Sequence, residues 1–179
     1  MKPCQASAHD DADALPAGTY RLTRRDWVKT AGAGVSGAML NRVVQAAGST
    51  DPAPPELRIA ELSALKPDVP VPFAYPDASS PAVLVRLRGP AAGGVGPGQS
   101  VVAFSILCTH KGCPVSYKPE RKLMICPCHW SSFDPAKGGQ MVIGQGSQPL
   151  PQIKLRVDGD AVVAVGVDGL IFGRHTNML

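Results

Sequence analysis

No stretch of this 179-residue chain approaches the roughly 18 consecutive apolar residues that a helical bilayer span requires. An excess of one charge is also lacking: the formal net charge is +4, too weak to signal a nucleic-acid partner. Uninterrupted stretches for long helices are missing as well, because 19 Gly and 18 Pro punctuate the chain throughout. An all-helical bundle is therefore excluded, although Gly and Pro stay below the content that marks disorder. The length leaves room for one compact domain and a short extension, not for two full domains.

The extension is N-terminal. Residues 1–20 are polar and small, followed by Thr23-Arg24-Arg25-Asp26-Trp27-Val28-Lys29 and a weakly apolar run from Thr30 to Leu40. This pattern resembles a twin-arginine export signal. As a helix the run of small residues would reach only about 16 Å, too short to cross a membrane unaided. We expect residues 1–47 to be this signal and N-terminal region, with a processing site near Val44-Gln45-Ala46-Ala47. The mature part would then be periplasmic, or membrane-associated should the signal stay uncleaved. Beyond residue 47 twelve Lys/Arg face ten Asp/Glu, so that part is near neutral. Cys4 falls in the signal and receives no role.

A Pro-rich linker over 48–56 leads into short apolar runs alternating with turn residues, as in an antiparallel sheet protein. Strands are expected at Leu57–Leu62, Ala82–Leu87, Val101–Ile106, Ile153–Val157 and Ala161–Val165. The last two flank Asp158-Gly159-Asp160, a hairpin signal. Pro67, Pro70, Pro72, Pro76 and Pro81 reduce the segment between the first two runs to edge strand or loop. The stretch Gly93 to Gly98 lacks the Lys-Ser/Thr and the following helix of a phosphate loop, so it reads as a surface loop.

The chemistry is concentrated in Cys108-Thr109-His110-Lys111-Gly112-Cys113 and Cys126-Pro127-Cys128-His129-Trp130-Ser131-Ser132-Phe133. Each loop offers a Cys, a His and a second Cys, donors that suit iron-sulfur or zinc rather than magnesium or calcium. Zinc fingers keep Cys pairs and His pairs apart, whereas here the two types are mixed within each loop. The spacing suits a [2Fe-2S] cluster with Cys108 and Cys126 on one iron and His110 and His129 on the other. Cys113 and Cys128 remain, and in an oxidising compartment they should form a disulfide between the loops.

Cys-Thr-His-x-Gly-Cys with Cys-Pro-Cys-His is the pattern of Rieske iron-sulfur proteins, which this chain resembles from about residue 57 to its end. The resemblance implies an all-β fold over 57–179, an antiparallel β-sheet or sandwich domain with a small cluster-binding subdomain at about 105–150. It also implies that Pro149-Leu150-Pro151 covers the cluster. Members with high potential carry a Ser two positions and a Tyr four positions after the second His; here Ser131 keeps the first hydroxyl and Phe133 lacks the second. Within the family the chain is most similar to the small subunit of arsenite oxidase, through Phe73-Ala74-Tyr75-Pro76-Asp77, Ser79-Ser80-Pro81, Gly93 to Pro97 and the tail Ala164 to Arg174. That likeness implies a molybdopterin-containing large subunit as partner and a periplasmic cytochrome c or copper protein as acceptor.

A metal held wholly by protein ligands has no open position for substrate, which leaves electron transfer as its chemistry. We expect no catalytic residue in the chain. His175 reads as a tail residue at a partner surface, Trp130 as packing over the cluster, and Met124 and Met141 as core residues on strands. Lys118, Arg121 and Lys122 read as a solvated tip. A cytochrome bc-type quinol oxidase subunit would keep a long membrane anchor, against which the weak Thr30–Leu40 run argues. A cytoplasmic Rieske ferredoxin would usually lack both the second Cys pair and an export signal.

Overall fold

The computed structural model describes residues 53–177. Residues 1–47, expected to be an export signal and including Arg24, Arg25 and Cys4, lie outside the described residues, as does the first part of the linker. Among the described residues ten strands form two antiparallel sheets: β1 Leu57–Glu61, β2 Val71–Ala74, β3 Pro81–Arg86, β4 Val101–Ser105, β5 Ser116–Lys118, β6 Leu123–Ile125, β7 Ser132–Asp134, β8 Gln140–Ile143, β9 Gln152–Asp158 and β10 Ala161–Asp168. The larger sheet runs β1-β10-β9-β4-β3-β2 and the smaller β5-β6-β7-β8. The smaller sheet is an insertion between β4 and β9. The all-β expectation therefore holds, subdomain included.

The centre of the larger sheet explains why β3 and β4 read as unbroken apolar runs. Successive side chains on a strand point to opposite faces, and here both faces are covered. Val83, Val85, Val102 and Phe104 enter one core, while Ala82, Leu84, Val101 and Ala103 enter a second with Tyr75, Ile153, Val162 and Ala164. Full burial of each such large side chain contributes about 1.5–3 kcal/mol, so these two strands anchor the domain.

The first core continues directly into the smaller sheet through Val115, Tyr117, Met124, Phe133 and Leu150, and it includes Cys108 and Cys126. Both cysteines are thus packed in the same core as the central strands β3 and β4. A polar tie reinforces this junction: the Tyr117 hydroxyl donates to Asp68 at 2.9 Å, and Arg88 bonds the same carboxylate. Burial pushes the Tyr117 phenol up, with the Asp68 charge adding to the effect, so it stays a donor.

The Pro-rich segment supplies β2, which pairs only with β3 and lies at the sheet edge, where Pro72 breaks no central ladder. The hairpin expected at Asp158-Gly159-Asp160 is present, with Asp158 facing Ala161 and Gly159 at φ +62°. Residues 93–98 form a surface loop ending in a short 3-10 turn, Pro97–Gln99.

Candidate metal centre

The two ligand loops are built alike. In the first, the Cys108 N–H donates to the Cys113 carbonyl at 2.9 Å and the Gly112 N–H to the Cys108 carbonyl at 2.8 Å. In the second, the Cys126 N–H donates to the Ser131 carbonyl at 2.9 Å and the Trp130 N–H to the Cys126 carbonyl at 3.0 Å. The fourth residue after the leading Cys is left-handed in each, Gly112 at φ +73° and Trp130 at φ +60°. This shared turn places His110 and His129 side by side, with ring centroids 4.7 Å apart and planes at 77°.

Cys108 and Cys126 are free thiols, each 1% exposed. Burial pushes the Cys108 thiol up, so the bare site favours a neutral sulfur, which a bound metal would deprotonate. His110 Nδ1 is buried and has no hydrogen-bond partner. Leaving such an atom unsatisfied costs roughly 1–3 kcal/mol, and a metal accepting its lone pair accounts for it. Cys113 and Cys128 form the expected disulfide, 15 residues apart in sequence and 6.5 Å apart at Cα. Their sulfurs lie within 4.8 Å of the Cys126 sulfur, but a disulfide has no thiolate to give a metal. That leaves as candidate donors the two buried free thiols, Cys108 and Cys126, and the neighbouring imidazoles of His110 and His129.

The Rieske [2Fe-2S] domain family matches residues 57–154. This chain belongs to that Rieske family. Its cofactor is a [2Fe-2S] cluster, which supplies one-electron transfer when bound. The chain is 39% identical over 173 residues to iodate reductase subunit IdrB of Denitromonas iodatirespirans, covering 94% of both chains. It is 42% identical over 119 residues to the subunit of that name from Pseudomonas sp. (strain SCT), covering 65% of this chain and 62% of the relative. Among solved structures, the soluble domain of Rieske protein II from Sulfolobus acidocaldarius superposes with a TM-score of 0.58 at 25% identity, covering 68% of this chain and 82% of that one.

A third loop closes over the Rieske site. Thr109 Oγ1 donates to the Gln148 carbonyl at 2.8 Å, Ser147 Oγ donates to the Thr109 carbonyl at 2.9 Å, and Ser105 N–H donates to the Pro151 carbonyl at 2.9 Å. Leu150 between these contacts is 1% exposed and packs in the core with both free cysteines. Pro149-Leu150-Pro151 thus belongs to a loop that packs over the first loop and against the core that holds both free cysteines. Ser131 and Phe133 are fully buried, and Ser131 Oγ accepts the Gln145 N–H at 3.0 Å. Gly144 at φ +123° makes this contact possible, because a Cβ there would lie 2.4 Å from Ser131 Cα.

Trp130 corrects an expectation. It does not pack over the site but is 68% exposed, since the left-handed turn that buries Ser131 drives the indole outward. Exposed Val142 and Ile143 lie on the neighbouring strand β8, where the pairing shifts register between Ser132 and Phe133. Met124 is fully buried and Met141 packs against the core, while Lys118, Arg121 and Lys122 are exposed at the hairpin tip, all as read from the sequence. His175 is exposed in the tail.

One arrangement escaped the reading of the residues. Arg174 bonds the Asp77 carboxylate, which also accepts from Ser79 N–H at 2.9 Å, Ser79 Oγ at 2.7 Å and Ser80 Oγ at 3.2 Å. Arg174 foremost, with Ser79, holds the Asp77 carboxyl down at about 2. Asp77 and Ser79-Ser80 are legible in the sequence only through the family resemblance, which shows neither the turn they form nor its pairing with Arg174.

Proposed function

We propose that this chain is the electron-transfer subunit of a periplasmic oxidoreductase whose larger subunit carries molybdopterin and acts on an inorganic oxyanion. The observation that carries this reading is the extent of likeness to the iodate reductase subunit, which runs through 94% of both chains and so beyond the cluster loops. Arsenite oxidase is the second reading, favoured by Tyr75-Pro76-Asp77, Ser79-Ser80-Pro81 and the tail through Arg174. Those segments outside the motif meet each other through the Arg174–Asp77 pair.

In this reading Cys108 and Cys126 hold one iron, and His110, through its buried Nδ1, and His129 hold the other. The Cys113–Cys128 bridge keeps the two loops together. The Ser131 hydroxyl, having accepted the Gln145 amide, retains a proton to donate toward a cluster or ligand sulfur. Phe133 offers no second donor, which lowers the potential relative to relatives with Tyr. Residues 1–47 direct export by the twin-arginine route, and a cytochrome c or copper protein is the soluble redox partner. The native complex should contain molybdenum and either reduce iodate with a reduced dye or oxidise arsenite with an oxidised one. Absence of molybdenum, with haem b in its place, would sink the proposal in favour of a quinol oxidase.

Trp130 is the proposed contact with the large subunit. A bulky residue in the left-handed region costs about 1–2 kcal/mol, and Gly112 at the equivalent turn shows that glycine suffices there. An indole 68% exposed recovers little of that cost by burial within this chain. Trp130→Gly should therefore raise the melting temperature by roughly 3–5 °C while weakening assembly with the large subunit at least tenfold. Lower stability with unchanged assembly, read by calorimetry and co-purification, would assign the residue a structural role instead.

A further inference from the structure

The C-terminal segment 169–177 has no regular secondary structure, yet it is fixed at several points. Gln148 Nε2 of the covering loop donates to the Leu170 carbonyl at 3.0 Å. Asn177 closes the segment on itself, accepting from Ile171 N–H at 3.1 Å and donating to the Gly169 carbonyl at 2.5 Å. Ile171 is 1% exposed and seats the turn. Arg174 reaches the Asp77 carboxylate and Ser79 Oγ at the far side.

Between these anchors Phe172 lies on Gly112. A Cβ on Gly112 would come within 2.7 Å of two ring carbons of Phe172, so the ring rests directly against the left-handed corner of the first ligand loop. A cleft of about 310 Å³ separates the segment from the covering loop, lined by Thr109, His110, Gln145, Ser147 and Gln148 on one side and Leu170 to Arg174 on the other. His110 is therefore reached from solvent along a wall that the segment itself builds.

We infer that residues 169–177 form a strap that positions the first ligand loop, with Phe172 bearing on Gly112 and the Arg174–Asp77 pair as its latch. The inference rests on the Rieske reading above and concerns positioning residues. The corner at Gly112 has its own N–H bonded to Cys108, so pressure on this corner is transmitted to the loop that carries His110. With the latch open, the wall of the cleft swings away and the side of His110 that the segment shields is opened further to water. The latch is preorganised, because three donors from Ser79 and Ser80 hold the Asp77 carboxylate before Arg174 arrives.

The test uses the full chain purified with its cluster. Arg174→Ala should speed cluster bleaching by an iron chelator roughly fivefold, the scale for an ion pair whose side chains are 20% and 27% exposed. Arg174→Lys should restore part of the difference, since the charge returns without the planar fork. Phe172→Ala should bleach faster still. In each variant the midpoint potential should rise, because water stabilises the more negative reduced state. Bleaching rates and potentials equal to wild type in Arg174→Ala and Phe172→Ala would overturn the strap, as would a fall in melting temperature with no change in potential. Full iron in His110→Ala would instead overturn the ligand assignment proposed above, independently of the strap.

Discussion

Substituting His110→Ala or Cys126→Ser should abolish the cluster, with iron falling from about two per chain to almost none and the rhombic EPR signal of the reduced protein disappearing. The four donors are unequal in setting but not in need. Cys108 and Cys126 are buried in the first core, so water cannot readily take the place of a missing thiolate. His110 Nδ1 is enclosed and without a protein partner, and an alanine there removes the proposed ligand atom. Loss should appear as missing iron before it appears as unfolding, because a neutral buried Cys packs as a small hydrophobe and the disulfide still joins the loops. Lys111→Ala and His175→Ala, at exposed positions in the first loop and the tail, should keep full iron. Full iron in His110→Ala would show that the mixed Cys/His donor set had been misassigned.

What the sequence disclosed follows from the physics of each segment. β3, β4, β9 and β10 are five to eight residues long, enough for apolar runs or alternation to stand out, and they fall within a few residues of expectation. β5, β6 and β7 have three residues each, too few to show a period, and went unread although Met124 was placed as a strand core residue. The donors were legible because their chemistry is local: Cys and His at close spacing announce a metal whatever the fold. Long-range contacts were not. Arg174 and Asp77 are 97 residues apart, and nothing in either neighbourhood names the other. Trp130 was misjudged because burial of apolar residues is a one-way rule, and a left-handed backbone can turn an indole to solvent.

Removing the disulfide as Cys113→Ala with Cys128→Ala should have an effect that depends on whether the cluster is present. The bridge closes a loop spanning 15 residues, for which chain entropy gives about 3 kcal/mol. In a domain of this size that corresponds to a fall of roughly 10 °C in melting temperature. The full value applies to the cluster-free chain, where the disulfide is the one covalent tie between the ligand loops. Under the proposed ligation, Cys108 and Cys126 join the same loops through metal in the loaded protein, and the freedom the disulfide would remove is largely gone. The two cross-links overlap in sequence and tie the same two loops, so their contributions should fall short of additive. Thermal unfolding of four species, with and without each cross-link, reads this directly. The variant should lose several degrees more without the cluster than with it, and iron should leave it faster under chelation. Equal losses in both states would mean that the bridge acts through native packing of the loops rather than by restraining the unfolded chain.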